Sequence, residues 1–233
     1  MNKELFIKEL AKLNINITDL QLQQLSNYYQ ILVRENSKYN LTSITNEEDV
    51  YLKHFYDSIT LSKIVKLTDQ SLCDIGTGAG FPGMVLKIMF PNLKVTLVDA
   101  TLKKCNFLEL VIKELKLTGI EVINGRAEEF AKNTREKYDI VTSRAVAPLK
   151  HLLEYSIPLV KVDGTYIAMK SDITKEIDGI SNYENKLNIK KQEIITFNLP
   201  IENSLRTLIS YKKIAPTNSI YPRKYSEIKK KSL

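Results

Sequence analysis

Apolar positions recur at helical spacing in two N-terminal stretches, Leu5 to Leu13 and Leu20 to Tyr39. The second places Leu22, Leu25, Tyr28, Tyr29, Leu32 and Val33 along one stripe, and Thr18 or Asp19 is suited to cap it. The polar run Asn40 to Thr45 breaks the pattern, and a further helix is predicted from near Glu47 through Ile64. From Ser71 onward the rhythm changes. Short apolar runs alternate with amphipathic ones: strands at Leu72–Ile75, Val95–Val98, Glu121–Ile123 and Tyr138–Ser143, with a helix at Leu102–Leu117. Val160 to Met169 reads as a fifth strand interrupted by a turn at Asp163-Gly164. Ile189–Phe197 and Leu205–Lys212 follow with no clear helix between them, which predicts a hairpin. Alternating β and α units imply an α/β fold with a mostly parallel seven-stranded sheet, covered on both faces. The pattern divides the chain into a helical extension (1–69), a main domain (70–213) and a basic tail (214–233).

Composition narrows the function classes. With 233 residues and 43% apolar content, the chain can bury one full core. The charged start Met1-Asn2-Lys3-Glu4-Leu5 does not resemble a signal peptide, and no apolar run approaches the ~18 residues of a membrane span. Cys73 and Cys105 lie in core elements and match no zinc spacing, so a reduced, cytoplasmic protein without a metal site is expected. A monomer is the default. The net charge of +7 suits an RNA partner, although its location matters more than its sum. From Lys212 the last stretch carries seven basic residues and one acid, and is expected to be loop or loosely docked.

The strongest chemical signal is Cys73-Asp74-Ile75-Gly76-Thr77-Gly78-Ala79-Gly80-Phe81-Pro82-Gly83. Glycines directly after a buried strand let backbone pass close beneath a ligand, and Pro82 suits the first turn of the next helix. A dinucleotide loop would place its third glycine where Phe81 stands. The G-x-G-x-G form preceded by Asp74 is more typical of S-adenosylmethionine sites, which have no pyrophosphate to cradle. Asp99 at the end of the second strand can accept both hydroxyls of a ribose, as in NAD enzymes, and so does not choose the cofactor. Beyond the third strand, the backbone at Ala127 and the Glu128 side chain can meet an adenine edge. These features fall at successive carboxyl ends of parallel strands, where open α/β sheets bind ligands.

The loop after the fourth strand, Ser143-Arg144-Ala145-Val146-Ala147-Pro148-Leu149, bears on the acceptor. It lacks the Asp/Asn-Pro-Pro-aromatic run of exocyclic-amine methylation and the cysteine of pyrimidine-carbon attack. A guanine N7 needs neither, because it presents an in-plane lone pair and has no proton to lose. Positioning with water excluded can then supply most of the acceleration. Arg144 faces the cleft from a strand end, where it can hold a cofactor carboxylate or an RNA phosphate.

At these residues the chain resembles the bacterial 16S rRNA guanine-N7 methyltransferases, the glucose-inhibited division protein B family. The similar pieces are Asn40 to Ile44, His54 to Ile59, Asp74 to Gly83, Ser143 to Leu149, and Tyr221 to Lys224. The resemblance implies a Rossmann-like class I methyltransferase with an antiparallel last strand, S-adenosyl-L-methionine as cofactor, and 16S rRNA in the small ribosomal subunit as partner. It implies cofactor contacts at Gly76, Phe81, Asp99, Ala100, Thr101, Ala127, Glu128 and Arg144, to which the glycine-loop reading adds Asp74 and Gly78. His54, Asp57 and Arg144 are implied on the RNA side. One departure is visible: Tyr225-Ser226-Glu227-Ile228 stands where the family continues with a Gly/Pro-containing basic end. The rival readings are a small-molecule methyltransferase on the same fold, a nucleotide-dependent oxidoreductase, and a binding module without catalysis.

Overall fold

The computed structural model describes every residue except 175, 178, 179 and 232. Two helices open the chain, α1 (Lys3–Lys12) and α2 (Asp19–Tyr39). Thr18 is the cap of α2: its hydroxyl accepts from Gln21 N–H, while the Gln21 side chain returns to the Thr18 backbone. The predicted third helix is a composite. A turn α3 (Glu47–Asp49) leads into a π-helical run, Val50–Tyr56, then α4 (Asp57–Ile59) and a 3₁₀ turn, Thr60–Lys63.

The main domain then runs β1 (Ser71–Ile75), α5 (Gly83–Met89), β2 (Lys94–Asp99), α6 (Leu102–Glu114), β3 (Ile120–Asn124), α7 (Ala127–Asn133), β4 (Tyr138–Arg144), α8 (Leu149–Ser156) and β5 (Val160–Lys170). It ends with α9 (Ser181–Leu187), β6 (Ile189–Asn198), β7 (Leu205–Lys213) and α10 (Tyr225–Lys230). Among the described residues the strands form one seven-stranded sheet in the order β3-β2-β1-β4-β5-β7-β6. β7 runs antiparallel to both neighbours and the other contacts are parallel. Asp163-Gly164 does not interrupt β5. The residues form an irregularity within the strand, where the register against β4 shifts and Asp163 turns to φ +66°.

Alternation along the strands sorts two cores. Leu72, Leu97, Ile140 and Ile167 face a cluster shared with α1, α2, the π-helical run, α5 and α6. Cys73, Val98, Val141 and Ala168 face the other, shared with α7, α8, α9 and α10. The tail corrects the expectation of a loose end. Tyr221 and Ile228 are buried in the second core, and Arg135 donates to the carbonyls of Thr217 and Tyr221. Arg223 clasps the fully buried Glu154 through its backbone N–H and two guanidinium nitrogens, at 2.7–3.0 Å. A basic tail that reads as loosely docked in sequence is held because its one arginine meets a carboxylate with no access to water.

Candidate active site

The glycine loop continues the sheet's own hydrogen bonding. Gly76 and Thr77 N–H both donate to Val98 O, so the chain turns sharply off β1 while still tied to β2. Gly76 adopts φ +69°, and a Cβ there would stand 2.6 Å from a Val146 methyl. Gly80 adopts φ +98°, with the Tyr28 hydroxyl 2.5 Å from a built Cβ. Tyr28, fully buried on α2, donates that hydroxyl to Ala79 O and sits among the rings of Phe55, Phe81 and Phe107. Burying such rings stabilises by ~1.5–3 kcal/mol each, and pairing adds ~0.5–1.5 kcal/mol. The helical extension thereby braces the loop from below.

Asp74 lies under this loop. Its Oδ2 accepts from Gly83 N–H at 2.8 Å and from the Thr77 hydroxyl at 2.6 Å, capping α5 where Pro82 offers no side-chain bond. Pro82 is the residue before α5 and not within its first turn. Burial pushes the Asp74 carboxyl up to about 6. Above the loop, the Asp99 carboxylate accepts from Gly78 N–H at 3.0 Å and Thr101 N–H at 2.8 Å. The Asp99 carbonyl is fixed in turn by Gly125 N–H and the Asn124 amide. α7 begins at Ala127 with no side-chain cap from Arg126, so its first N–H groups have no partner within the helix.

A cleft of about 660 Å³ opens over these strand ends, with Gly76, Asp99, Ala100, Ala127, Glu128 and Arg144 in its lining. Asp74, Gly78, Phe81 and Thr101 are outside that lining: Asp74 braces the loop from within, Gly78 and Thr101 hold Asp99, and Phe81 packs beneath Arg144. The residues suit S-adenosylmethionine. Asp99 offers carboxylate oxygens for a ribose diol, and the uncapped start of α7 offers donors for an adenine edge.

A second pocket of about 460 Å³ adjoins the first, and Arg144 and Ala145 belong to both. Arg144 is held from several directions. Nη1 donates to Asp57 Oδ2 at 2.9 Å and Lys53 O at 3.0 Å, and Nη2 donates to His54 Nδ1 at 3.4 Å. Its guanidinium lies over the Phe81 ring, 5.3 Å from the centroid. The π-helical run makes this seat. Asp57 N–H reaches back to Leu52 O, one residue beyond its α-helical partner, and so releases Lys53 O to accept from Arg144. Asp57, itself buried, also accepts from Arg206 Nε at 3.0 Å, so one carboxylate spaces two guanidinium groups.

His54 stacks on Phe81 at 4.3 Å and 15°. Because arginine only donates, Nδ1 is the acceptor and Nε2–H donates to Thr42 Oγ1 at 3.1 Å. Burial, with the charge of Arg144 adding to it, pushes the imidazole down to about 3. The histidine is neutral at physiological pH and both nitrogens are engaged. A folded value below the ordinary 6.5 means the unfolded chain binds the proton first as pH falls. The stability held by neutral His54 is therefore full above about 6.5 and is lost progressively down to about 3. Denaturant unfolding at pH 7 and pH 5 should differ by about 2 kcal/mol from this group alone. His54→Gln should remove that part of the slope; an unchanged slope would place the imidazole in solvent.

The structure thus brings His54, Asp57 and Arg144 together as a single network. Arg206 was not anticipated, nor was Lys170, whose ammonium donates to Ala147 O and pairs with Glu176 at the floor of the second pocket. Arg206 obeys the rule that singled out Arg144, a cation at a strand end facing the cleft. Its strand is antiparallel, so the relevant end is the first one, and that is visible only once the sheet order is known.

Comparison with known proteins agrees with this geometry. The family model GidB, described as rRNA small subunit methyltransferase G, matches residues 21–205. The ribosomal RNA small subunit methyltransferase G of Exiguobacterium sibiricum is 44% identical over 228 residues, covering 96% of each chain. That of Mesoplasma florum is 47% identical over 213 residues, covering 90% of this chain and 88% of its own. Among solved structures, M. jannaschii TYW2 in complex with AdoMet superposes with TM-score 0.57 at 13% identity, over 74% of this chain and 80% of that one. A SAM dependent methyltransferase from Aquifex aeolicus gives 0.54 at 13% identity, over 72% and 94%. The last two share the fold, and the family match with its near-full-length relatives fixes the lineage: the chain belongs to the GidB family, the rRNA small subunit methyltransferases G.

Proposed function

We propose that this chain transfers the methyl group of S-adenosylmethionine to N7 of a guanine in 16S ribosomal RNA, acting on the small subunit or its precursors as a cytoplasmic monomer. The observation that carries the reading is the junction of the two pockets at Arg144, where His54 and Asp57, the titratable groups that hold the arginine, are both already engaged. His54 is neutral and occupied on both nitrogens, and Asp57 is committed to two arginines. N7 of guanine has no proton to remove, so it is an acceptor that such a site can serve by positioning alone. When bound, S-adenosylmethionine supplies an electrophilic methyl group. Asp99, Ala127 and Glu128 would hold its adenosine half, and Arg144 would form the partition past which the base must approach. Lys53, Lys170 and Arg206 also line the second pocket, each paired with a carboxylate, and offer donors that an RNA phosphate could share. No helix among the described residues is long and apolar enough to cross a membrane.

The test is transfer of labelled methyl to 30S subunits and to naked 16S RNA, both from cells lacking this gene. Label in RNA that breaks under conditions specific for N7-methylguanine is the expected result, and the break position names the nucleotide. No transfer to either, with cofactor binding intact, would redirect the search to small-molecule acceptors. Asp99→Asn should weaken S-adenosylmethionine binding by roughly 10–100-fold, since charged hydrogen bonds contribute ~1.5–3 kcal/mol. Unchanged affinity in calorimetry would move the cofactor out of this cleft.

A further inference from the structure

The tail folds into α10 from Tyr225 onward. Two of its residues, Tyr225 and Lys229, line the larger cleft beside Ala127 and Glu128. The Tyr225 ring is held: the Arg126 guanidinium lies 5.4 Å from its centroid. Behind it, Ile228 is buried in the second core and Glu227 accepts from Lys224 N–H at 3.1 Å. The anchor just upstream is the Arg223–Glu154 clasp. Tyr225 nonetheless keeps 42% of its surface exposed, on a ring next to the start of α7. An exposed aromatic ring fixed in the lining of the cleft matches what a purine needs, a stacking surface.

We infer that Tyr225 is a further cofactor-binding residue, which packs its ring against the adenine of S-adenosylmethionine and makes α10 one wall of the cofactor site. The inference rests on the reading of this cleft as the cofactor site. It also assigns Arg126 a role: by holding the tyrosine ring it positions the stacking surface, acting through Tyr225 and not on the ligand.

The experiment is equilibrium binding of S-adenosylhomocysteine and of 5′-methylthioadenosine to the full chain and to Tyr225→Ala, Tyr225→Phe and Asp99→Asn. Tyr225→Ala should weaken both ligands by the same factor, roughly tenfold, because both carry the adenosine half. Tyr225→Phe should bind as the parent does, since the ring and not the hydroxyl makes the contact. In methyl transfer, Tyr225→Ala should raise KM for S-adenosylmethionine while KM for RNA and the melting temperature stay put. Loss confined to S-adenosylhomocysteine, or no loss for either ligand, would overturn the assignment. So would a change in RNA affinity and its salt slope alone, which would make α10 an RNA contact. Asp99→Asn separates the two levels. If it weakens binding and Tyr225→Ala does not, only the role of Tyr225 fails; if neither does, the cleft itself has been misassigned.

Discussion

Arg144→Ala should lower kcat/KM for RNA by at least about 10²-fold, the usual scale when a positioned group is displaced by an ångström or so. The loss should appear mainly in kcat, with S-adenosylmethionine affinity changing by a smaller factor. The side chain links the two pockets, and the bonds that fix it come from the wall of the second: Asp57, the Lys53 carbonyl and His54. Without it, Asp57 keeps Arg206 but loses its other partner, and the Phe81 face that the guanidinium covers opens to water. Arg144→Lys should do little better. A single ammonium cannot reach a carboxylate, a carbonyl and an imidazole at once while lying flat on a ring. Single-turnover rates would check this directly. A lysine variant that retains more than a third of the parent rate would mean that only charge is needed, and that the planar fork is incidental.

Arg223→Met should destabilise the fold by about 3–5 kcal/mol, because it strands a carboxylate that has no access to water. For a chain of this length that corresponds to a fall of roughly 6–20 °C in Tm. Combining it with Glu154→Leu should recover most of the loss, since replacing a whole buried pair with apolar groups is often close to neutral. A double variant no better than the single would show that packing of the arginine stem, and not the orphaned charge, dominates. Removing the chain from Tyr221 onward would likewise leave Glu154 unpaired and uncover Ile228's pocket. Weakened RNA binding in such a truncation must be separated from partial unfolding before it counts as a lost RNA contact.

Where the residues themselves fix local geometry, the sequence was sufficient. Short apolar runs placed the strands to within a residue or two, and Thr18, one of two candidate caps, marked the start of α2. The G-x-G-x-G loop and Asp99 were legible because their chemistry is local: backbone approach in one case, a carboxylate at a strand end in the other. The roles within the loop were not. Asp74 caps α5 from beneath through Oδ2, because a helix that starts at Gly83 behind Pro82 needs an acceptor from elsewhere. Arg206 and Tyr225 come to the site from positions remote in sequence from the glycine loop, one through an antiparallel strand and one through a docked tail. The sequence pattern does not mark α7, α8 or α9, because each is short. The tail misled for an electrostatic reason. Charge runs are read as solvated unless the partner is known, and Glu154 lies in the middle of an unremarked helix.

The π-helical run, Val50–Tyr56, carries a further consequence for anyone who would engineer this protein. Its wide turn is less favourable than α-helix and would be the first target of a programme that raises thermal stability by regularising secondary structure. Deleting one residue within it could restore the ordinary register and a firmer helix. The same deletion would return the Lys53 carbonyl to a backbone donor and swing His54 and Asp57 out of phase with each other. Thermal robustness and chemistry are therefore set against each other across a single residue of chain length, and insertions or deletions there should be far less tolerated than substitutions.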